Sequence, residues 1–196
     1  MIEEFISARD RIIAASIDII SDSGLVSLTF PNISFRTNMS EMMIYKCFTN
    51  VDEILEEVVS TYFKFDRGIF NTLESKSDSY IKKIDMYIDA YGSYYNSYYS
   101  LSSIMLNYEE LLHNTKTREL IEQGFVSRRE GLEKIFQGAL DNGEIIDDFT
   151  AEMLADMLLG IFIVCSLNRR VLVRKKTYQE EIKILSGKWL DTIKKN

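Results

Sequence analysis

Residues 28–55 restrict the fold more than any other part of this 196-residue chain. Thr29 suits a helix N-cap, and Pro31 falls in the first turn, where a missing N–H costs little. Asn38 lies where the chain must turn, because asparagine tolerates the left-handed conformation better than other non-glycine residues. Ser40 can then cap a second short helix. The spacing predicts a helix-turn-helix, the geometry that places a second helix in the DNA major groove.

Residues 8–60 resemble the DNA-binding domain of TetR-family transcriptional regulators. Within the helix-turn-helix, the matching positions are Thr29, Ile33, Ser40, Tyr45, Phe48, Glu53 and Leu55. The preceding segment resembles the family's first helix at Ile13, Ala14, Ala15, Ile20 and Gly24. The chain departs from the family pattern at Ser34, Thr37, Asn38, Glu41 and Val51. Val51 replaces a lysine that would contact a phosphate, and Glu41 adds a charge that phosphates repel.

The resemblance implies an all-α fold of about nine helices. It implies a three-helix DNA-binding domain in residues 1–50 and a helical ligand-binding and dimerisation domain in residues 51–196. It also implies a cytoplasmic homodimer without a cofactor, which binds double-stranded operator DNA as a repressor and releases it when a small-molecule inducer binds. The residues expected at the DNA are Thr29, Ser40, Glu41, Met43, Tyr45 and Lys46.

The charge of the chain argues against strong non-specific DNA binding. The formal net charge is −7, and the first fifty residues carry four basic side chains against six acidic ones. Because non-specific affinity comes mostly from phosphate neutralisation, the sequence predicts few ionic contacts with DNA. A second hypothesis therefore stays open: a dimeric ligand- or protein-binding module with the same scaffold and with weakened or lost operator binding.

Helical periodicity continues through the rest of the chain, without strand-like alternation. It predicts helices over residues 52–73, 80–91, 94–112, 117–140, 150–173 and from 178 onward, with a weak point at Gly92. The helix over 150–173 is apolar on almost every side and must therefore be covered on every side. A second subunit is the simplest cover for one face, although a central helix of a monomeric bundle is the alternative. The predicted interface residues are Leu154, Leu158, Ile161, Cys165, Leu185 and Trp189.

Tyrosines are concentrated between Tyr80 and Tyr108. Ordinary core packing explains any one of them. Together they also suit the wall of a cavity between helices, since ligand pockets are mostly apolar and aromatic with a few polar groups. We therefore predict a largely apolar inducer. The residues predicted to line its cavity are Tyr62, Tyr87, Tyr91, Met105, Phe125 and Phe162.

Signals for catalysis, metal binding and membrane insertion are poor. His113 is the one histidine and lies in a predicted loop, which does not favour a general base. The sequence contains no glycine-rich phosphate loop and no Cys/His cluster with metal-ligand spacing. Cys47 and Cys165 are predicted to be free thiols. The apolar run over 157–167 is shorter than the roughly 20 residues of a membrane span. The chain is not expected to be an enzyme.

Overall fold

A computed structural model describes residues 7–76, 78–173 and 176–195 of the chain. These residues form ten α-helices and no β-strand, which confirms the predicted all-α fold. The helices are α1 Ala8–Ser23, α2 Phe30–Thr37, α3 Glu41–Cys47, α4 Val51–Tyr62, α5 Lys64–Glu74, α6 Tyr80–Ser97, α7 Tyr108–His113, α8 Arg118–Asp141, α9 Ala151–Val171 and α10 Tyr178–Ile193. Two 3₁₀ segments cover Leu25–Ser27 and Ser100–Asn107.

Local capping chemistry sets the ends of α2 and α3, as the sequence predicts. The Thr29 hydroxyl accepts a hydrogen bond from the Asn32 N–H, and the Ser40 hydroxyl accepts one from the Met43 N–H. Asn38 ends α2 in the left-handed conformation, with φ 55° and ψ 32°. These contacts fix a tight turn between two helices of eight and seven residues.

The prediction of one helix over residues 52–73 is wrong. The chain breaks between α4 and α5 at Phe63. Tyr62 and Phe63 are both buried, and their ring centroids lie 6.1 and 6.3 Å from that of Tyr108. Neighbouring residues on one straight helix face different directions. The break lets both rings reach the same partner, a tertiary contact that periodicity does not reveal.

The predicted weak point at Gly92 is also wrong, because α6 runs through it without interruption. A Cβ atom at Gly92 would lie 3.3 Å from the Cα of Gln179 on α10. The glycine therefore permits close helix packing rather than a break. The predicted helix over 94–112 is instead divided into the end of α6, the second 3₁₀ segment and α7.

The chain forms two compact units. The first unit contains the described residues up to Phe63 and the segment Ser100–Gln123. Its core includes the fully buried Ile12, Ile33 and Ile44. The second unit contains the described residues of 64–99 and those from 124 onward. The predicted domain boundary at residue 50 separates a DNA-binding segment from a ligand-binding and dimerisation segment. The two compact units do not test this functional division, and it stays a prediction.

Asn38 provides a test of the turn. We expect Asn38→Ala to lower the free energy of unfolding by about 1 kcal/mol, because alanine is strained in the left-handed region and lacks the short polar side chain that lets asparagine adopt it. Asn38→Gly is the matched control and should stay close to the wild type, since glycine adopts this conformation freely. Urea denaturation followed by circular dichroism measures both. An alanine variant as stable as the glycine variant would contradict the turn geometry.

Candidate functional sites

Helix α3 buries one face and presents the other to solvent. Ile44 is fully buried, and Phe48, just after the helix, is 1% exposed. Met42, Met43 and Tyr45 on the remaining surface are 70%, 48% and 57% exposed. The buried pair anchors the helix to the first unit, so the other side chains are free to contact a partner.

The structure places the predicted DNA-contacting residues on or beside this exposed surface. Ser40, Glu41, Met43, Tyr45 and Lys46 are exposed, and Thr29 is half-buried. The Tyr45 ring packs edge-on against Phe30 with 4.4 Å between centroids, which steadies an otherwise exposed phenol. Met42 was not among the predicted residues. Its signal in the sequence is its position one helical turn before Lys46.

Most of the basic side chains near α3 are bound within the first unit. Arg9 donates to the Cys47 carbonyl at 2.7 Å and pairs with Glu57 at 2.9 Å. Arg11 donates to the Thr37 carbonyl at 3.0 Å. Arg36 pairs with Asp22 at 2.7 Å. Among residues 7–50, this leaves Lys46 as the basic side chain without an observed ion pair or hydrogen bond.

Three of the predicted ligand-lining residues, Tyr87, Tyr91 and Phe162, meet in the second unit. Tyr87, Tyr91 and Tyr95 follow one another at four-residue intervals on α6, and each is at most 1% exposed. Phe162 of α9 stacks on Tyr91, with 4.0 Å between centroids and 12° between ring planes. Phe65 of α5 packs edge-on against Tyr91 at 5.7 Å. We call these five residues the aromatic cluster.

The other predicted ligand residues are distributed differently. Tyr62 and Met105 are buried in the first unit. Phe125 is half-buried on α8 in the second unit. Within the second unit, the observed ring contacts group Tyr87, Tyr91 and Phe162.

A buried ion pair lies against the aromatic cluster. Arg128 of α8 donates to both carboxylate oxygens of Asp66 on α5, at 3.0 and 2.8 Å, and the two side chains are 1% and 6% exposed. The Tyr87 hydroxyl donates to Asp66 at 3.2 Å, and Arg128 donates to the Tyr95 hydroxyl at 3.3 Å. Four polar groups thus meet in an apolar interior, an arrangement able to fix the orientation of a bound molecule.

Arg128 was given no role by the sequence analysis, which missed this pair. The signal was present, because Arg128 continues the three- and four-residue spacing of Phe125, Leu132 and Ile135. A charged residue on an apolar stripe is buried and must find a partner. Asp66 was missed because the periodicity of its helix did not show that this side chain faces the interior.

A cavity of about 300 Å³ opens between α5, α6 and α8 in the second unit. Its apolar lining is Phe70, Leu73, Tyr80 and Ile135, together with Gly131. A Cβ at Gly131 would lie 2.6 Å from the Phe70 ring, so the glycine makes room for that ring. Phe70 also stacks on Tyr87 at 5.2 Å, which connects the cavity wall to the aromatic cluster.

Charged side chains line the mouth of this cavity. Glu74, Lys83 and Lys134 line it, and Lys134 pairs with Glu74. The hydrogen bond between them raises the pKa of Lys134 and lowers the pKa of Glu74. Both groups therefore stay charged near neutral pH, beside an apolar interior.

Helix α9 turns its predicted interface residues inward. Leu154, Leu158 and Cys165 are fully buried within the chain, and Ile161 is half-buried. The exposed stripe is Met153, Met157, Val164 and Leu167, at 52%, 39%, 53% and 42% exposure. On α10, Leu185 is 40% exposed and Trp189 is half-buried. The face available to a partner is therefore not the one that the sequence reasoning selected.

Among the described helices, α9 alone is long and apolar enough to cross a membrane by length and composition. Packing within the chain also explains the apolar character of α9, since its Leu154, Leu158 and Phe162 are fully buried. The described residues contain no group of three or more His, Cys, Asp and Glu side chains able to hold a metal ion. His113 is exposed at the end of α7, 3.3 Å from Glu109.

No family model and no curated protein matches the sequence. Solved structures match it closely in fold. A TetR-family transcriptional regulator from Agrobacterium tumefaciens has a TM-score of 0.80 at 15% identity, covering 95% of this chain and 97% of its own. The ketosteroid transcriptional regulator KstR2 of Mycobacterium tuberculosis has a TM-score of 0.83 at 12% identity, covering 97% and 96%. The SmeT–triclosan complex, whose protein is a repressor from Stenotrophomonas maltophilia, has a TM-score of 0.75 at 17% identity, covering 96% and 92%. The chain thus has the fold of TetR-family transcriptional regulators, which confirms the resemblance seen in the sequence.

The buried ion pair can be tested by a double-mutant cycle. We expect Arg128→Met to lower the free energy of unfolding by about 3–5 kcal/mol, because it leaves the Asp66 carboxylate buried without its main partner. Adding Asp66→Leu should recover much of that loss, since the unpaired charge is then removed. Urea denaturation of the wild type, both single variants and the double variant gives the coupling. Additive losses would contradict a direct interaction.

Proposed function

We propose that the protein is a ligand-responsive DNA-binding transcriptional regulator that acts as a repressor in the cytoplasm. The observation that carries the proposal is the helix-turn-helix of α2 and α3, which buries Ile44 while it exposes a compact set of side chains. It occurs in a chain whose whole length follows the fold of TetR-family regulators. The residues of α3 are those that such a geometry would place in the major groove.

The proposed DNA contacts are of two kinds: phosphate contacts that position the protein and base contacts that read the sequence. Thr29, Tyr45 and Lys46 would position the protein on phosphates, since hydroxyl and ammonium donors suit phosphate oxygens. Ser40 and Met43 would meet base edges. Glu41 at the start of α3 opposes nearby phosphates but can accept a hydrogen bond from a cytosine or adenine amino group.

We further propose that the inducer binds in the second unit, at the aromatic cluster and the adjoining cavity. The rings favour a largely apolar molecule, while Arg128, Asp66, Tyr87 and Tyr95 would orient a polar group on it. The descriptions of two solved relatives, a ketosteroid regulator and a repressor in complex with triclosan, are compatible with an apolar ring-containing ligand. The cavity of about 300 Å³ offers an entrance beside Phe70.

The proposed mechanism is a population shift. A ligand that displaces Phe70 would favour another position of α5, which carries both Phe70 and Asp66 and directly follows α4 in the chain. The favoured conformation would no longer match the two recognition helices of a dimer to successive major grooves. By thermodynamic reciprocity, operator DNA must weaken inducer binding by the factor by which the inducer weakens DNA binding.

A homodimer is proposed through the exposed stripe of α9 and the neighbouring Leu185. The stripe repeats at four- and three-residue steps, as a helix-packing seam requires. Gly160 lies within it, and a Cβ there would meet nothing within 4 Å. The open space would allow a partner helix to approach closely. The proposed interface thus moves from Leu154, Leu158 and Cys165 to the face that they leave exposed.

The second candidate function is a dimeric ligand- or protein-binding module that does not bind operators. It is favoured by the internal pairing of Arg9, Arg11 and Arg36, which leaves Lys46 as the main cation on this surface. A chain that had lost DNA binding would tolerate such pairing. The salt dependence of DNA binding separates the two functions.

Gel-shift titration of a duplex obtained by selection tests DNA binding. We expect the logarithm of the binding constant to fall with the logarithm of salt concentration at a slope of about −2 per dimer, since Lys46 is the one cation within residues 7–50 of each subunit that has no observed ion pair or hydrogen bond. Lys46→Ala should remove most of that slope. Arg36→Gln is the matched control and should leave the slope unchanged, because Arg36 is already paired with Asp22. Failure to select any duplex at low salt would support the second candidate function.

Light scattering tests the dimer. Val164→Glu should convert the dimer into a monomer, because association would bury an unpaired charge at a cost of several kcal/mol. Val126→Glu is the matched control, since Val126 is 49% exposed on α8 and lies outside the proposed interface. A wild-type monomer at micromolar concentration, or a Val164→Glu dimer, would contradict the assignment.

A further inference from the structure

The centre of the exposed surface of α3 is a methionine. Met42 is the most exposed large apolar side chain of this helix, at 70%. Lys46 lies one turn further along the same face, while Ile44 faces the core. Met43 and Tyr45 lie to either side of this line, since successive residues turn by about 100° around a helix. A duplex that receives α3 would therefore meet Met42 first.

Apart from Lys46 near its C-terminal end, the exposed surface of α3 lacks the side chains that usually read purines. Arginine reads guanine and asparagine or glutamine reads adenine through two parallel hydrogen bonds. Among residues 41–47 none of these three occurs. Glu41 and Lys46 lie at the two ends of the face, and the part between them is formed by thioethers and a phenol ring. Apolar contact is thus the main means of reading available to the middle of α3.

The major groove carries one apolar group, the C5 methyl of thymine. We propose that Met42 reads a thymine methyl in each operator half-site and is a specificity determinant in addition to Ser40 and Met43. The inference rests on the proposed DNA-binding function. Methionine suits this role because its unbranched, polarisable side chain adapts to an irregular apolar surface. Tyr45 and Lys46 would hold the helix in register through phosphates, which carry no sequence information.

Duplex DNA fits this surface better than a protein partner does. The apolar part of the face is small, formed by Met42, Met43 and Tyr45. It is bounded by the Ser40 cap and by Lys46, which has no ion pair or hydrogen bond observed among the described residues. A protein-docking surface is broader, with a desolvated apolar centre and charges confined to the rim. The position of α3 as the second helix of a helix-turn-helix supplies the groove geometry.

Replacement of thymine by uracil removes only the C5 methyl and tests the inference directly. Duplexes are first selected from a random pool with the full-length wild-type protein, and each thymine of the half-site is then replaced in turn. We expect one position at which uracil weakens wild-type binding about fourfold per half-site, the value of one buried methyl group. Met42→Ala should bind the thymine and uracil duplexes equally. Met42→Leu should keep the preference for thymine, because it retains an apolar side chain of similar size.

The possible outcomes are distinct. Selection of no duplex at low salt would remove the proposed function and leave a protein as the occupant of this surface. A selected duplex that tolerates uracil at every position would overturn the inference while DNA binding stands. A uracil effect that persists in Met42→Ala would assign the reading to another residue. Thermal unfolding checks that the variants fold, which the exposure of Met42 leads us to expect.

Discussion

The buried ion pair of Arg128 and Asp66 must be compensated by hydrogen bonds from the surrounding helices of the second unit. Removal of two charges from water costs several kcal/mol for each ion, and mutual attraction offsets this only when the geometry is good and the remaining lone pairs are bonded. Here the contact is bidentate, and phenols from Tyr87 and Tyr95 add hydrogen bonds on both sides. Helices α5, α6 and α8 are therefore held in one arrangement. Well-packed hydrophobic residues are often as stable as a buried ion pair, so the pair is weak evidence for a role in stability and agrees with the proposed role in orienting a ligand.

Arginine side chains stabilise the first unit through hydrogen bonds within it. Arg9 and Arg11 donate to carbonyl groups at the C-terminal ends of α3 and α2, where positive charge complements the helix dipole. Arg9 also lies 4.0 Å from the centre of the Phe48 ring. These contacts hold the helix-turn-helix together in a segment with an acidic balance. They also engage most of the positive charge near this surface, so the proposed DNA binding would depend mainly on shape and base contact.

The parts of the fold that the sequence predicted are those set by local chemistry. The caps at Thr29 and Ser40 and the turn at Asn38 act over three residues or fewer, and no tertiary contact overrides them. The break at Phe63 and the continuous α6 at Gly92 depend on Tyr108 and Gln179, which are distant in sequence. The aromatic cluster was predicted in part, because tyrosines at helical spacing share a face. Its ionic partners were not, because Asp66 and Arg128 lie far apart in the sequence and only folding brings them together.

The orientation of α9 about its own axis shows why the composition of the helix could not identify which of its faces is the interface. A helix that is apolar all round gives no signal of which side its own chain covers. Burial of Leu154 and Leu158 sets the orientation of α9 about its axis. Arg129 of α8 adds partly exposed hydrogen bonds to Glu152 and Asp156, one turn apart on the same helix. Those carboxylates also hold the pKa of Arg129 above its ordinary value. Leu154 and Leu158 thus face the core, and Met153 and Met157 are left exposed to a partner. If the protein is a dimeric operator-binding regulator, as proposed, a dimer built on this face would also fix the separation of its two α3 helices, which would have to match successive major grooves about 34 Å apart.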